Sequence, residues 1–180
     1  MSRPAGEMSL ACVTGRFQPV HRQHVELFIR AAQEADHLIV AITNPDPGAR
    51  HLAKQSAHRH LESANPFSYF ERVQLLQAAL IGVPVPSTIV PFDLSRPEHW
   101  HDYVPASAIQ FVRAFSEWER EKANRLSDGG YRVTLIDGDP TSKISATDVR
   151  AAIAAGTSRA DLLPPAVDDV LARLLQERAR

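Results

Sequence analysis

A single cysteine, Cys12, stands in a chain of 180 residues. It has no partner for an internal disulfide, and it lies in the apolar run 10–13, so it reads as a core residue. No apolar stretch approaches the roughly 20 residues needed to span a bilayer. The opening Met-Ser-Arg-Pro-Ala-Gly-Glu lacks the apolar centre of a secretion signal. An excess of charge of one sign is also missing: 20 Lys and Arg face 21 Asp and Glu, for a net charge of −1. That balance excludes the global basic field of a non-specific nucleic-acid binder and requires any anion site to be local. There is no internal repeat and no low-complexity tract. Together these absences predict a protein of the reducing cytoplasm that has no membrane or nucleic-acid partner.

The chain does have an apolar content of 44%, ample for one real core. One domain is expected over residues 8–180, behind a flexible tail at 1–7 that offers nothing to bury. Residues 9–14 read as a buried strand. In 22–35, Val25, Phe28, Ile29 and Ala32 follow helical spacing. HLIVAIT at 37–43 is a second strand, which makes the opening a βαβ unit with parallel pairing. The stretch 44–64 carries Arg50, His51, Lys54, His58, Arg59 and His60 with little apolar periodicity, and reads as a long basic loop. Ser68 and Glu71 form a capping-box signature for a helix running to about Leu80. Further strands are expected at 88–92, 109–113 and 131–136, with a helix at 117–126. The remainder reads as helix, interrupted at Gly156 and at Pro164-Pro165. Alternating strands and helices predict an open parallel α/β sheet, Rossmann-like, covered on both faces, with ligands beyond the carboxyl ends of the strands.

Two loops fall at that edge. The first, Gly-Arg-Phe-Gln-Pro-Val-His-Arg-Gln-His at 15–24, joins the first strand to the first helix. Gly15 lets the backbone approach a ligand, and the following helix N-terminus offers free amides to an anion. His21 and His24 are three residues apart and project from one side of a helix, where they can donate to phosphate oxygens. Such a pair can equally pack or sit in solvent, but its place after a strand, a glycine and a helix start favours the site. A zinc reading lacks the i, i+4 pairing and glutamate of H-E-x-x-H. The second loop, Lys-Ile-Ser-Ala-Thr-Asp-Val-Arg at 143–150, starts another helix with Ser145 and Asp148 as caps. Thr147 supplies a hydroxyl, Arg150 a guanidinium suited to phosphate and Lys143 a mobile point charge.

Together these segments resemble the nucleotidylyltransferase superfamily, and within it the archaeal-type nicotinamide mononucleotide (NMN) adenylyltransferases. GRFQPVHRQH is similar to their GRFQPFHxGH, Asn65-Pro66-Phe67 with Glu71-Arg72 to N-P-F-x-x-x-E-R, and ISATDVR to I-S-x-T-x-(I/V)-R. The resemblance runs in order from about Leu10 to Leu175. It implies in-line attack by an acceptor oxygen on the α-phosphorus of a magnesium nucleoside triphosphate, ATP or CTP, with release of pyrophosphate. It also implies that His21, His24 and Arg150 serve catalysis. Gly15, Arg16, Phe17, Gln18, Lys143, Ser145 and Thr147 would bind nucleotide, Ser145 and Thr147 at its terminal phosphates. Mg²⁺ would arrive with the nucleotide, and no protein metal ligands are expected.

The sequence departs from that pattern at two places. Gln23 stands where the family has glycine, so a side chain intrudes where the nucleotide would approach. In 93–100, Trp100 falls on the family's tryptophan, but Pro97 replaces the asparagine that contacts nicotinamide. With the longer basic loop, these departures favour a small, concentrated anionic acceptor, which Arg50, Lys54, Arg59 and Trp100 would bind. Relatives that transfer CMP from CTP to small phosphonates fit this better than NMN adenylyl transfer. A non-catalytic nucleotide sensor is the alternative of another class. Glu117 and Trp118 line a base pocket or merely pack. Asp137 and Asp139 hold magnesium through water or form a turn. The apolar C-terminal helix, with Val167, Val170, Leu171 and Leu174, serves a homo-oligomer interface or covers the sheet.

Overall fold

A computed structural model describes residues 8–51 and 60–180, so the tail at 1–7 lies outside the described residues. Five strands form one all-parallel sheet: β1 (Leu10–Gly15), β2 (His37–Thr43), β3 (Ser87–Phe92), β4 (Ile109–Ala114) and β5 (Arg132–Asp137). Their order is β3-β2-β1-β4-β5. The chain winds outward from β1 to β3, then crosses back to lay β4 on the other side of β1. A crevice therefore opens where the carboxyl ends of β1 and β4 part company, which is where such sheets bind ligands.

Alternation along the strands builds two core layers. Ala11, Val13, Leu38, Val40, Ile42 and Phe111 face one layer, packed under α1 (Arg22–Ala32) and α2 (Tyr69–Ala79). Cys12, Ile39, Ala41, Phe92 and Val112 face the other, closed by Trp100 of the short α3 (Trp100–Tyr103) and by Ala123 and Leu126 of α4 (Glu117–Asp128). The last two helices, α5 (Ala146–Ala155) and α6 (Pro165–Arg178), return to the first layer through Val149, Val167, Leu171 and Leu174. The apolar face of α6 is thus spent on covering the sheet, with Val170 packed against the same core. Among the described residues no helix is long and apolar enough to cross a membrane.

The helix starts follow from their caps. Ser68 accepts from the Glu71 amide at 3.2 Å while the Glu71 carboxylate accepts from the Ser68 amide at 2.7 Å. Ser145 and Asp148 repeat the arrangement at α5. Gly156 ends α5 with φ 64°, a left-handed turn that suits a residue without a Cβ. One expectation shifts. The first helix closes at Ala32, with Gln33 as its C-cap, rather than at Ala35. Residues 97–103, which show no helical apolar period, form a 3₁₀ turn running into α3.

Candidate active site

The crevice is a cavity of about 350 Å³ lined by the end of β1, the first turn of α1, the end of β4, the start of α4 and the loop into α5. His21, Gln23, His24, Lys143, Ser145 and Thr147 all line it, so the two sequence loops meet around one space.

His21 precedes α1 and is 5% exposed, with its Nδ1 buried and without a hydrogen-bond partner. Its ring stacks on His24 at 3.7 Å between centroids. The His21 amide donates to His24 Nδ1 at 3.2 Å. That bond makes His24 Nδ1 the acceptor nitrogen, so in the neutral ring Nε2 carries the proton and is a donor. Burial pushes His21 down to about 3, and burial followed by the neighbouring His21, Lys122 and Arg113 charges pushes His24 well below its ordinary value. Both imidazoles are therefore neutral near pH 7. Phe17 props the pair from behind, its ring 5.0 Å from His24 and edge-on.

On the opposite side, Lys143 donates to Glu119 Oε1 at 2.8 Å. Burial pushes the Glu119 carboxyl up, but hydrogen bonds from Lys143 and Ser116 outweigh it and hold the group below the usual carboxylate range. Thr147 Oγ1 accepts from Arg150 Nη2 at 3.1 Å, which leaves its own hydrogen free to point elsewhere. Ser145 donates its hydroxyl to Asp148 at 2.7 Å. In this arrangement Ser145 keeps acceptor capacity only.

Several residues expected to bind ligand line the cavity and also do structural work: Gly15, Phe17 and Gln18 among them. The Gln18 carboxamide is 1% exposed and is bonded at both ends to Phe67, donating to its carbonyl and accepting from its amide, each at 2.9 Å. Phe17 is 2% exposed at φ 51°, a left-handed conformation that costs a non-glycine residue about 1 kcal/mol. Its ring is also what demands glycine at 15, since a Cβ there would lie 2.8 Å from it. Arg150 does not line the cavity. Its Nη1 donates to the Gln18 carbonyl at 2.8 Å, so its charge acts from behind Thr147. Arg16 lines the cavity and donates to the Ala64 carbonyl.

Of the expected acceptor residues that the structure describes, neither Trp100 nor Arg50 lines the cavity. Trp100 is 3% exposed, stacked on Phe92 at 5.2 Å with its indole N–H donated to the Asp93 carbonyl. It is a core residue because the α3 turn, invisible in the sequence, carries it inward. Arg50 is half-buried and outside the cavity lining, while Lys54 and Arg59 lie outside the described residues. Trp118 lines the cavity and Glu117 is exposed beyond it. Asp137 pairs with Arg120 at 2.6 Å and Asp139 accepts from Thr141, so Asp-Gly-Asp-Pro serves a turn. Among the described residues no group of three or more His, Cys, Asp or Glu is placed to hold a metal.

Sequence reasoning gave no role to Arg72, which is 1% exposed yet donates to the carbonyls of Arg16, Thr43, Asn44 and Pro45 at 2.8–3.1 Å. Burial pulls its guanidinium down to about 10, still charged at neutral pH. Arg113 and Lys122 also line the cavity. Arg113 had a signal in its place at the carboxyl end of a recognisable strand, whereas Lys122, mid-helix, had none.

Comparison with known proteins agrees with this geometry. Residues 12–152 match the cytidylyltransferase-like family model. A phosphonoformate cytidylyltransferase of Streptomyces viridochromogenes is 34% identical over 93% of this chain and 94% of its own length. A nicotinamide-nucleotide adenylyltransferase of Methanospirillum hungatei is 32% identical over 94% and 88%. Among solved structures, a bifunctional NMN adenylyltransferase/ADP ribose pyrophosphatase of Francisella tularensis superposes with a TM-score of 0.57 at 17% identity over 92% of this chain. This chain spans only about half, 52%, of that one. A putative nicotinate-nucleotide adenylyltransferase of Vibrio parahaemolyticus gives 0.55 at 15% identity over 92% and 99%.

Proposed function

The chain belongs to the cytidylyltransferase-like family and is a nucleotidyltransferase, and from that premise we propose that it transfers CMP from magnesium CTP to an oxygen of a small phosphonate. The acceptor oxygen forms a new P–O bond at the α-phosphorus as the bond to the β-phosphate's bridging oxygen breaks, and pyrophosphate leaves with that electron pair. Magnesium enters with the nucleotide as part of the substrate.

The acceptor oxygen is already ionised near neutral pH, so no general base is required. What the site must supply is donors aimed at developing negative charge. His24 Nε2 and the unpartnered nitrogen of the buried His21 are such donors or become so on protonation beside an anion. The N-termini of α1 and α5 add amides and partial positive charge. Thr147, with Arg150 behind it, and Lys143 face the departing phosphates from the other side. The wall of Leu94, Phe115 and Trp118 takes the base.

One observation carries the choice of acceptor. Trp100, which the resemblance would set against nicotinamide, is buried with its only donor spent, and Pro97 has no carboxamide. NMN would therefore meet neither of the two side chains expected to read its ring. The 34% identical cytidylyltransferase points the same way. The test is pyrophosphate release with ATP, CTP, GTP and UTP against phosphonoformate and NMN. Turnover confined to CTP with the phosphonate is the expected result. Turnover with ATP and NMN overturns the acceptor assignment in favour of NMN adenylyl transfer, and no turnover with any pair would make the chain a nucleotide sensor.

A further inference from the structure

The loop between β5 and α5 carries Lys143 into the cavity and leads directly to Ser145 and Thr147. Its internal bonds are local: Asp139 accepts from Thr141, and Ser142 donates its hydroxyl to the Asp139 carbonyl. These shape a turn without fixing where it stands relative to α1. Lys143 ties it to Glu119 of α4 and Arg150 ties α5 to the Gln18 carbonyl, while the direct bonds between this turn and α1 come from Gln23, in the first turn of that helix. Its Nε2 donates to the Ser142 carbonyl at 2.7 Å, and its Oε1 accepts from the Ile144 amide at 2.7 Å. A primary carboxamide is the side chain that can meet a carbonyl and an N–H two residues apart at once. The backbone of Gln23 is held in turn, its carbonyl lying 3.5 Å from Arg113 Nη1.

We propose that Gln23, at the position where related motifs carry glycine, is a positioning residue. Its carboxamide stitches the first turn of α1 to residues 142–144, so the two phosphate-gripping helix N-termini stand at their working separation before nucleotide arrives. This rests on the nucleotidyl-transfer reading of the same cavity. Without the stitch, the 139–145 loop must be ordered when the triphosphate binds, and the cost falls on nucleotide affinity. Bonds to the acceptor are untouched, because the stitch joins only the loops that hold the phosphates.

The test compares the full-length protein with Gln23→Ala and Gln23→Glu. The glutamate keeps the acceptor for Ile144 but sets a carboxylate oxygen against the Ser142 carbonyl. Three readouts are used: hydrogen exchange at the Ile144 amide, calorimetric binding of inorganic tripolyphosphate, and KM and kcat for nucleotide and acceptor separately. Gln23→Ala is expected to speed exchange at Ile144, to weaken tripolyphosphate and raise the nucleotide KM about tenfold, and to leave the acceptor KM unchanged. Gln23→Glu is expected to weaken tripolyphosphate and nucleotide in the same direction, since it too loses the bond to Ser142, but to keep Ile144 exchange slower than in Gln23→Ala. Unchanged Ile144 exchange or unchanged tripolyphosphate affinity in the alanine variant overturns the proposal. So does an equal rise in both KM values, which marks a merely structural side chain. If the exchange and tripolyphosphate shifts appear but wild-type protein turns over no nucleotide, the reaction falls and the role of Gln23 stands.

Discussion

The cavity has two walls of different construction. On the phosphate side, loops far apart in sequence are joined by side chains bonded to backbone. Gln18 ties the first loop to Phe67, Gln23 ties α1 to the 142–144 loop, and Arg150 returns from α5 to the Gln18 carbonyl. On the other side, Leu94 and Phe115 meet the cavity through packing, beside Trp118. The contact at Gly138 is an example, where a Cβ would lie 2.4 Å from the Phe115 ring. Directional bonds fix positions to a few tenths of an ångström and fail abruptly when a partner is lost. Packing fixes shape and tolerates exchange among side chains of similar volume. In the proposed reaction the bonded wall is the one that faces the transition state.

That contrast can be broken from the bonded side first. Arg72→Leu removes the donor from several buried carbonyls at once and is expected to lower unfolding free energy by about 3–5 kcal/mol in urea titration. A loss below 1 kcal/mol would show that the carbonyls find other donors. His24→Ala should then reduce kcat on the order of 100-fold with the melting temperature little changed, and near-normal turnover would remove His24 from the chemistry. On the packed side, Trp118→Leu should raise the nucleotide KM by only about tenfold and leave kcat in place. A drop in kcat equal to that of His24→Ala would erase the distinction between the walls.

Proton linkage sharpens the same comparison. Burial depresses the folded-state value of His21 to about 3, and His24 shifts in the same direction. The unfolded chain takes up these protons below about pH 6.5 while the folded one does not, so stability is full above that pH and is lost as pH falls toward 3. Urea midpoints measured between pH 8 and pH 4 should fall only in the lower half of that range, and His21→Asn should flatten the slope. The smallest effect is expected from neutralising Arg50, Lys54 and Arg59 together, weakening the acceptor several-fold more than the nucleotide. Equal weakening of both would dissolve the proposed acceptor role of that segment.

The sheet was readable because its signals are local. HLIVAIT gives β2 over the expected residues, and the Ser68–Glu71 and Ser145–Asp148 boxes mark helix starts within four residues of sequence. The placement of His21, His24 and Lys143 followed from strand-to-helix loops meeting at one edge. What stayed hidden acts at long range. Gln18 reaches 49 residues along the chain, Gln23 reaches 121 and Arg150 reaches 132, and nothing near them in sequence announces a backbone partner. Trp100 was misplaced for the converse reason: a motif position was matched without the short helix that turns it inward.

Arg72 holds the carbonyls of Asn44 and Pro45, and Arg16 holds that of Ala64. The exit from β2 and the return toward α2 are thus pinned to the body of the enzyme, independently of what lies between them. Doubling the length of a flexible loop with fixed ends costs only about 0.6 kcal/mol. A change in chain length between the two pins therefore leaves both pins in place at small cost. Insertions or deletions there are expected to leave the bonds of Arg72 and Arg16 to the body of the fold unchanged.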